Sequence, residues 1–337
     1  MKNIVKHLKT RYEMEKKPND TFLWFLWRIF IGKIPFYAKY RAYERGEHKK
    51  RFGKKNEELT FYIIRAGGNA PGLMSLYNYV VRHIHYALIN NYIPIIDFKY
   101  YPNMYLYSNQ VGKINSWEYW FCQPQEQYSL AEIRKSKNVI ISGVSSGSYG
   151  SRSELLTKEY VETYHNIIKN YIKFNPITEK HLLETHKNLF GEKKILGVKA
   201  RGTDYVSLSP KSHSIVPEKE ELSSIVDDIM ESEKYEFLYL ATEDEEIYTY
   251  FKNKYKDKLI VNQENRYDSN TGNKEIGQIF RKQKVDLKQE GLDYLTSVYL
   301  LSKCDSLITP VVGAGVVAIL MNGNRYKRLY IFDKGVY

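Results

Sequence analysis

Along the 337-residue chain, short apolar runs alternate with longer stretches in which apolar positions recur every three or four residues. Leu59 to Arg65 is rich in β-branched and aromatic residues and reads as a strand. Leu73 to Asn91 carries apolar side chains at Leu73, Leu76, Val80, Ile84 and Leu88, close to the helical period. Tyr92 to Phe98 is the next strand. Strand, helix and strand in that order form one βαβ unit, and such units build parallel sheets. Residues 99–136 are rich in Tyr, Trp and Asn, and read either as an acceptor-binding aromatic insertion or as a loop-rich lid on the sheet. Val139 to Gly143 is a further strand. The pattern from Leu155 to Phe174 predicts one long amphipathic helix that Asn175-Pro176 stops, and Thr178 is expected to cap a second helix running to Asn188.

The second half alternates more regularly. Strands are expected at 195–200, 237–241, 259–261, 306–309 and 328–332, with helices at 218–232 and 286–302, a helix opened by the acidic turn 242–246 and running to Lys254, and an apolar helix ending at Met321. Repeats of this kind wind doubly around an open sheet rather than closing an eight-fold barrel. Two turns, Ala66 to Gly72 and Ser145 to Ser151, are glycine- or serine-rich, and glycine lets backbone approach a ligand or another element closely.

In such sheets ligands bind beyond the carboxyl ends of the strands, so the charged residues at strand ends carry the candidate chemistry. Ile195 to Ala200 runs into a turn holding Arg201, Gly202, Thr203 and Asp204. A guanidinium suits a phosphate because its planar fork donates two parallel hydrogen bonds and keeps its charge. A surface Arg201–Asp204 pair is the bland alternative. The strand at 237–241 closes on the acidic run Thr242-Glu243-Asp244-Glu245-Glu246, where ordinary capping of a helix start would also favour acids.

Charge adds a partner class. Lys and Arg exceed Asp and Glu by 12, and much of the excess falls in residues 1–55. Such a surplus favours an anionic partner. The run Thr21 to Phe36 is too short to span a bilayer, and Arg28 and Lys33 interrupt it. Aromatic, with basic flanks, it suits a membrane interface, or else packs on the protein's own core. Cys122 and Cys304 stand alone, with no Cys-x-x-Cys, which argues against a zinc ribbon or dithiol centre and fits a reducing, cytoplasmic location. No secretory signal is evident. The chain lacks an Asp-x-Asp, a P-loop and a Gly-x-Gly-x-x-Gly after a strand, which disfavours a metal-bridged sugar-nucleotide site, a P-loop kinase or a nicotinamide enzyme. No nucleic-acid motif is present, so a nucleic-acid partner is not expected.

Three stretches together resemble the fucosyltransferase superfamily of GT-B glycosyltransferases. They are Gly197-Val198-Lys199-Ala200-Arg201-Gly202-Thr203-Asp204-Tyr205, then Tyr239-Leu240-Ala241-Thr242-Glu243-Asp244, then Leu295 to Thr309 with the small-residue turn after it. Gly67-Gly68-Asn69 and Ile95-Ile96-Asp97 resemble the amino-terminal domain of bacterial members more loosely. The resemblance implies an α/β, GT-B-like fold of two Rossmann-like domains facing across a cleft, behind a basic amphipathic N-terminal segment. The expected division is residues 1–57, an acceptor-side domain at 58–180 and a nucleotide-sugar-binding domain at 181–337.

It also implies an inverting, metal-independent transfer, typically with GDP-fucose as donor substrate, no cofactor, and a glycan or lipid-linked glycan as acceptor; the alternatives are the same fold with another nucleotide-sugar donor, a hexose or heptose, or a noncatalytic membrane-associated relative. The product would be a surface polysaccharide or lipopolysaccharide, made at the inner face of the membrane. On this resemblance Arg201 holds the donor diphosphate, Gly313, Ala314 and Gly315 present backbone to the phosphates, and Lys199, Glu243, Asp244 and Ser297 lie toward the nucleoside. The chain departs from the pattern at three places. Gly202 replaces a second arginine, Lys199 replaces a histidine, and Ser297 replaces a carboxylate for which Asp293 or Glu290 could substitute. The base that activates an acceptor hydroxyl must be a carboxylate or histidine within reach. Asp204 and His213 lead that group, with Glu218, His83 and His85 as further candidates.

Overall fold

The computed structural model describes residues 21–23, 26, 39, 42–66, 72–101, 103–144, 150–203, 206, 208–209, 213–268, 279 and 282–337. Most of the Thr21–Phe36 run, the Gly67-Gly68-Asn69 turn, the serines at 145–149, Asp204, and parts of the loops at 205–217 and 262–275 lie outside the described residues. Among the described residues no helix is long and apolar enough to cross a membrane.

Two sheets organise the chain. The first contains β1 (His48–Lys50), β2 (Lys55–Arg65), β3 (Ile93–Asp97) and β4 (Ser136–Ile141), in the order β1-β4-β2-β3. β2 runs parallel to both β3 and β4, and β1 pairs antiparallel with β4. β1 lies inside the stretch assigned above to the N-terminal segment, 1–57. Helix α1 (Leu73–Ile89) makes the crossover from β2 to β3. Its apolar stripe explains its seat: Leu73, Leu76, Val80 and Ile84 are all at most 1% exposed.

The second sheet is wholly parallel. It contains β5 (Ile195–Lys199), β6 (Phe237–Ala241), β7 (Leu259–Val261), β8 (Ser306–Pro310) and β9 (Arg328–Phe332), in the order β7-β6-β5-β8-β9. Continuous apolar strands are what a sheet covered on both faces requires, and every residue of β5 and β8 is buried. The order reverses between β5 and β8, which makes that crevice the switch point where open sheets bind ligands.

Two expected helix boundaries shift. The single helix expected from Leu155 to Phe174 is broken. Ser151 and Glu154 form a capping box on one turn, Arg152–Leu155, and the chain restarts as α2 (Lys158–Tyr171) after an extended Thr157. The next helix, α3 (Pro176–Leu189), begins earlier than expected: the Asn175 side chain, not Thr178, is the cap, accepting from the Thr178 backbone N–H with Pro176 in the first turn. Proline suits that position because the first N–H groups have no helical partner.

The halves are joined by helices α6 (Leu287–Lys303) and α7 (Gly313–Asn322). α7 is apolar all round and buried almost throughout, as such a helix must be. One hydrophobic core runs from Leu73, Tyr77 and Val80 of α1 to Val316, Val317 and Leu320 of α7. The aromatic stretch after β3 belongs to this core: Trp117 and Trp120 are at most 2% exposed. The Trp120 indole N–H donates to the Lys288 carbonyl at 3.0 Å, and Gly291 gives the ring its place, since a Cβ there would stand 2.2 Å from it. Of the two readings of residues 99–136, the packed covering is the one formed. These buried tryptophans are not sugar platforms.

Candidate functional site

The site is built where β5 and β6 end side by side. Lys199 pairs with Ala241 across the two strands, so the next residues, Arg201 and Glu243, leave the sheet together. Glu243 bridges two cations, with Oε2 2.9 Å from Lys199 Nζ and Oε1 2.9 Å from Arg201 Nη1. Lys199 is 2% exposed and also donates to the Ala241 carbonyl at 3.3 Å. A buried ammonium is tolerated because both partners replace water. Burial alone would raise the Glu243 carboxyl, but the Arg201 and Lys199 cations outweigh it and hold the group at about 2.

Asp244 anchors the same turn from below. Its Oδ1 caps α5 (Glu245–Tyr255) by accepting from the Ile247 N–H at 2.9 Å, and its Oδ2 accepts from the Thr203 N–H at 2.9 Å. Asp244 is therefore a structural clamp on the Arg201 turn, 1% exposed. A Cβ at Gly202 would stand 2.3 Å from Asp244 Oδ2. The turn as built excludes a larger residue at 202, which accounts for the glycine where the resemblance has its second arginine.

Ser297 lies on α6, behind the same strand ends, and its hydroxyl donates to Glu264 Oε2 at 2.7 Å. Asn262 Nδ2 donates to that hydroxyl at 3.2 Å. Glu264 was not among the residues singled out from the sequence. It sits three residues past β7, in the irregular loop. Burial raises its carboxyl to about 7, against the Ser297 hydrogen bond and the Lys199 and Arg266 charges, with Glu243 adding to the rise. Its Oε1 is buried with no hydrogen-bond partner. A carboxyl group thus returns to the place where Ser297 lacks one. Glu290 and Asp293, the expected substitutes, are used elsewhere: Glu290 accepts from Tyr267 Oη and Asn265 Nδ2, and Asp293 accepts from Gln289 Nε2.

On the other side of β5, β8 leads into α7 and its free-ended first turn. Gly313 faces the start of α1: a Cβ on it would lie 3.6 Å from Met74 Cβ and 3.8 Å from the Ser75 nitrogen. The first turns of α1 and α7 therefore meet, each following a strand end of its own sheet, and two positive helix ends converge on one crevice. Of the three small residues expected to present backbone there, only Gly313 retains accessible surface. Ala314 is 1% exposed, and Gly315 packs against β8, where a Cβ would stand 2.0 Å from Thr309 Oγ1. Gly315 is small for strand–helix contact.

The candidate bases fall in different places. His213 is exposed, and its carbonyl accepts from the Tyr337 N–H at 3.0 Å, which zips this loop to the carboxyl-terminal residues. Glu218 is exposed at the N-cap of α4 (Lys219–Glu233). His83 and His85 lie in the latter half of α1, on the order of 15 Å from its first turn at 1.5 Å per residue, and so outside the crevice. His83 accepts or donates at Tyr62 Oη, 2.8 Å away, and His85 packs edge-on against Tyr164.

No protein-family model matches the chain, and no curated protein matches it in sequence. Its fold does match solved structures. A NodZ alpha-1,6-fucosyltransferase co-crystallized with GDP is similar with a TM-score of 0.51 at 12% identity, over 81% of this chain and 95% of the other. A selenomethionine form of fucosyltransferase NodZ from Bradyrhizobium gives the same score and identity over 82% and 95%. A fucosyltransferase variant from Arabidopsis thaliana in complex with GDP has a TM-score of 0.47 at 11% identity, over 84% and 73%. The α/β fold expected from the three sequence stretches is the fold this chain has.

Proposed function

We propose that this chain is a glycosyltransferase that draws on a GDP-sugar, with GDP-fucose the first donor to try. The observation that carries the reading is the Lys199–Glu243–Arg201 cluster at the carboxyl ends of β5 and β6, beside the switch-point crevice of a fucosyltransferase-like fold. A departing diphosphate develops charge that must be stabilised, and fixed cations in a partly dry site do this best. Arg201 would take the diphosphate with the first turn of α7, while Glu243 keeps its guanidinium aimed. Lys199 and Glu264 would lie toward the nucleoside. Burial holds the Glu264 carboxyl up at about 7, which favours its protonated form and so gives it the capacity to donate as well as accept.

The transfer would be a single inverting displacement: an acceptor hydroxyl, relieved of its proton by Asp204 or His213, attacks the anomeric carbon as the diphosphate leaves. With Arg201 and the helix ends supplying charge, no metal is required in this scheme. The acceptor would be a glycan or lipid-linked glycan of the cell surface, and the basic excess of the first 55 residues would hold the enzyme at the inner face of the membrane.

Because the acceptor is not needed to see donor cleavage, the test is release of nucleoside diphosphate from GDP-fucose, GDP-mannose, UDP-glucose and an ADP-heptose, with and without EDTA. GDP-fucose should be consumed fastest, unaffected by EDTA. Arg201→Ala should lower kcat/KM by about 10²–10³ without unfolding the protein, the usual cost of one such donor. Normal turnover by that variant would remove Arg201 from the site. Preference for another donor would keep the fold and change the sugar.

A further inference from the structure

A second cavity, of about 310 Å³, opens on the seam between the halves at the opposite end of α7 from the crevice. α1 contributes Tyr77 and α2 contributes His165 and Lys169; α6 contributes Tyr299 and Lys303, and Arg325 follows α7. Among the described residues its lining holds three cations, Lys169, Lys303 and Arg325, and no carboxylate. Burial, and Arg325 after it, push the Lys303 ammonium down; burial, and the Lys303 charge after it, depress His186. Burial, and Glu179 after it, push the Tyr299 hydroxyl up on one flank.

Cations near helix C-termini are common because they offset the dipole. Arg325 fits that use in part, donating to the Asn322 and Met321 carbonyls. Dipole compensation does not account for the rest. Tyr77 is 1% exposed, and its hydroxyl is buried without any hydrogen-bond partner. Such a group is costly to bury unless an acceptor reaches it. The wall is also shaped: Gly323, at φ +70°, leaves room for the His165 ring, which a Cβ would approach to 2.6 Å. His165 Nδ1 is fixed on the Leu320 carbonyl at 2.9 Å, so Nε2 is the ring nitrogen left to the cavity side. Ile168, Phe174 and Met321 supply apolar surface.

We infer that this seam cavity is a second ligand site, separate from the donor crevice, for a small phosphate monoester with a ring-sized body. A dianion matches the surplus of cations better than a carboxylate would, the Tyr77 hydroxyl donates to one of its oxygens, and the aromatic wall takes the body. Since α1 and α2 belong to one half and α6 and α7 join the other, the ligand would tie the halves together.

Phenyl phosphate is the probe, with benzyl alcohol as the uncharged control, measured by calorimetry and thermal unfolding on the full chain. Phenyl phosphate should bind saturably to wild type and equally to Arg201→Ala, and benzyl alcohol should not. Lys303→Gln/Arg325→Gln should abolish binding, and Tyr77→Phe, which removes only an unpartnered hydroxyl, should weaken it by about tenfold, the worth of one hydrogen bond to a charged group. Failure of phenyl phosphate to bind, loss of binding in Arg201→Ala, equal binding of benzyl alcohol, or indifference to the seam substitutions would each overturn the assignment. GDP binding reports separately on the donor crevice: it should fall in Arg201→Ala and be unchanged in the seam variants.

Discussion

Glu243→Gln separates the two cations of the site from their shared counter-charge while keeping the side chain's shape. Lowering the carboxyl from 4.5 to about 2 corresponds to about 3 kcal/mol at 1.36 kcal/mol per pH unit. The same size follows from the general cost of removing one partner of a buried pair, about 3–5 kcal/mol. Glu243 is 12% exposed, so solvent screening takes little of this away. The sign is that of a depressed carboxylate. Its contribution is fully present above about pH 4.5 and is lost as the pH falls toward 2. At pH 7 the variant should unfold roughly 4–5 °C below wild type, taking about 1.4 °C per kcal/mol from an unfolding entropy of about 2.1 cal/mol/K per residue over 337 residues. The gap should narrow progressively below pH 4.5. Thermal unfolding by circular dichroism across pH 3–8 measures both. A variant that melts within a degree of wild type at pH 7, or a gap that does not change with pH, would refute the view that Glu243 holds the Arg201 turn.

Glu264→Gln should behave in the opposite sense. Its carboxyl is raised to about 7, so the folded protein loses stability as pH rises from about 4.5 through 7. The amide should melt higher than wild type at pH 8 and show a flatter pH profile; a lower melting point at pH 8 would contradict the buried-acid account. Gly202→Ala should force Asp244 off the Thr203 N–H and cost about 1–3 kcal/mol, the usual range for overpacking, together with weaker GDP binding by calorimetry. Gly291→Ala should push Trp120 off α6 with a similar loss, seen as a shift in tryptophan fluorescence and melting temperature, but should leave GDP affinity unchanged if the donor crevice is where we place it.

The strand ends alone were a weak signal, since a surface Arg201–Asp204 pair would read the same way. The resemblance of two separate stretches put Lys199, Arg201, Glu243 and Asp244 on one site, and in the fold these four lie against one another. The division of labour between the two acids was not legible. Glu243 and Asp244 are adjacent and alike, and only the geometry shows one on the cations and the other under the backbone.

Glu264 was missed for a different reason. It lies in a loop without periodicity, and its partner Ser297 is on a helix 33 residues later. Position just past the carboxyl end of β7 was the one available sign. Local chemistry also misled at Asn175-Pro176, which reads as a helix stop: α2 has already ended at Tyr171, and the pair begins the next helix. The histidines of α1 illustrate the limit of residue type as evidence, since helical rise alone carries them away from the crevice.

The central claim is that this fold keeps a working GDP-sugar site around Arg201. Thermal unfolding with GDP, UDP, CDP, ADP and CMP in turn, with and without magnesium, tests it most directly. A ligand at about 100 times its Kd adds roughly 2.7 kcal/mol of stability. The account predicts a rise with GDP, insensitive to magnesium and lost in Arg201→Ala. No rise with any of the five, or a GDP shift that survives in Arg201→Ala, would contradict it.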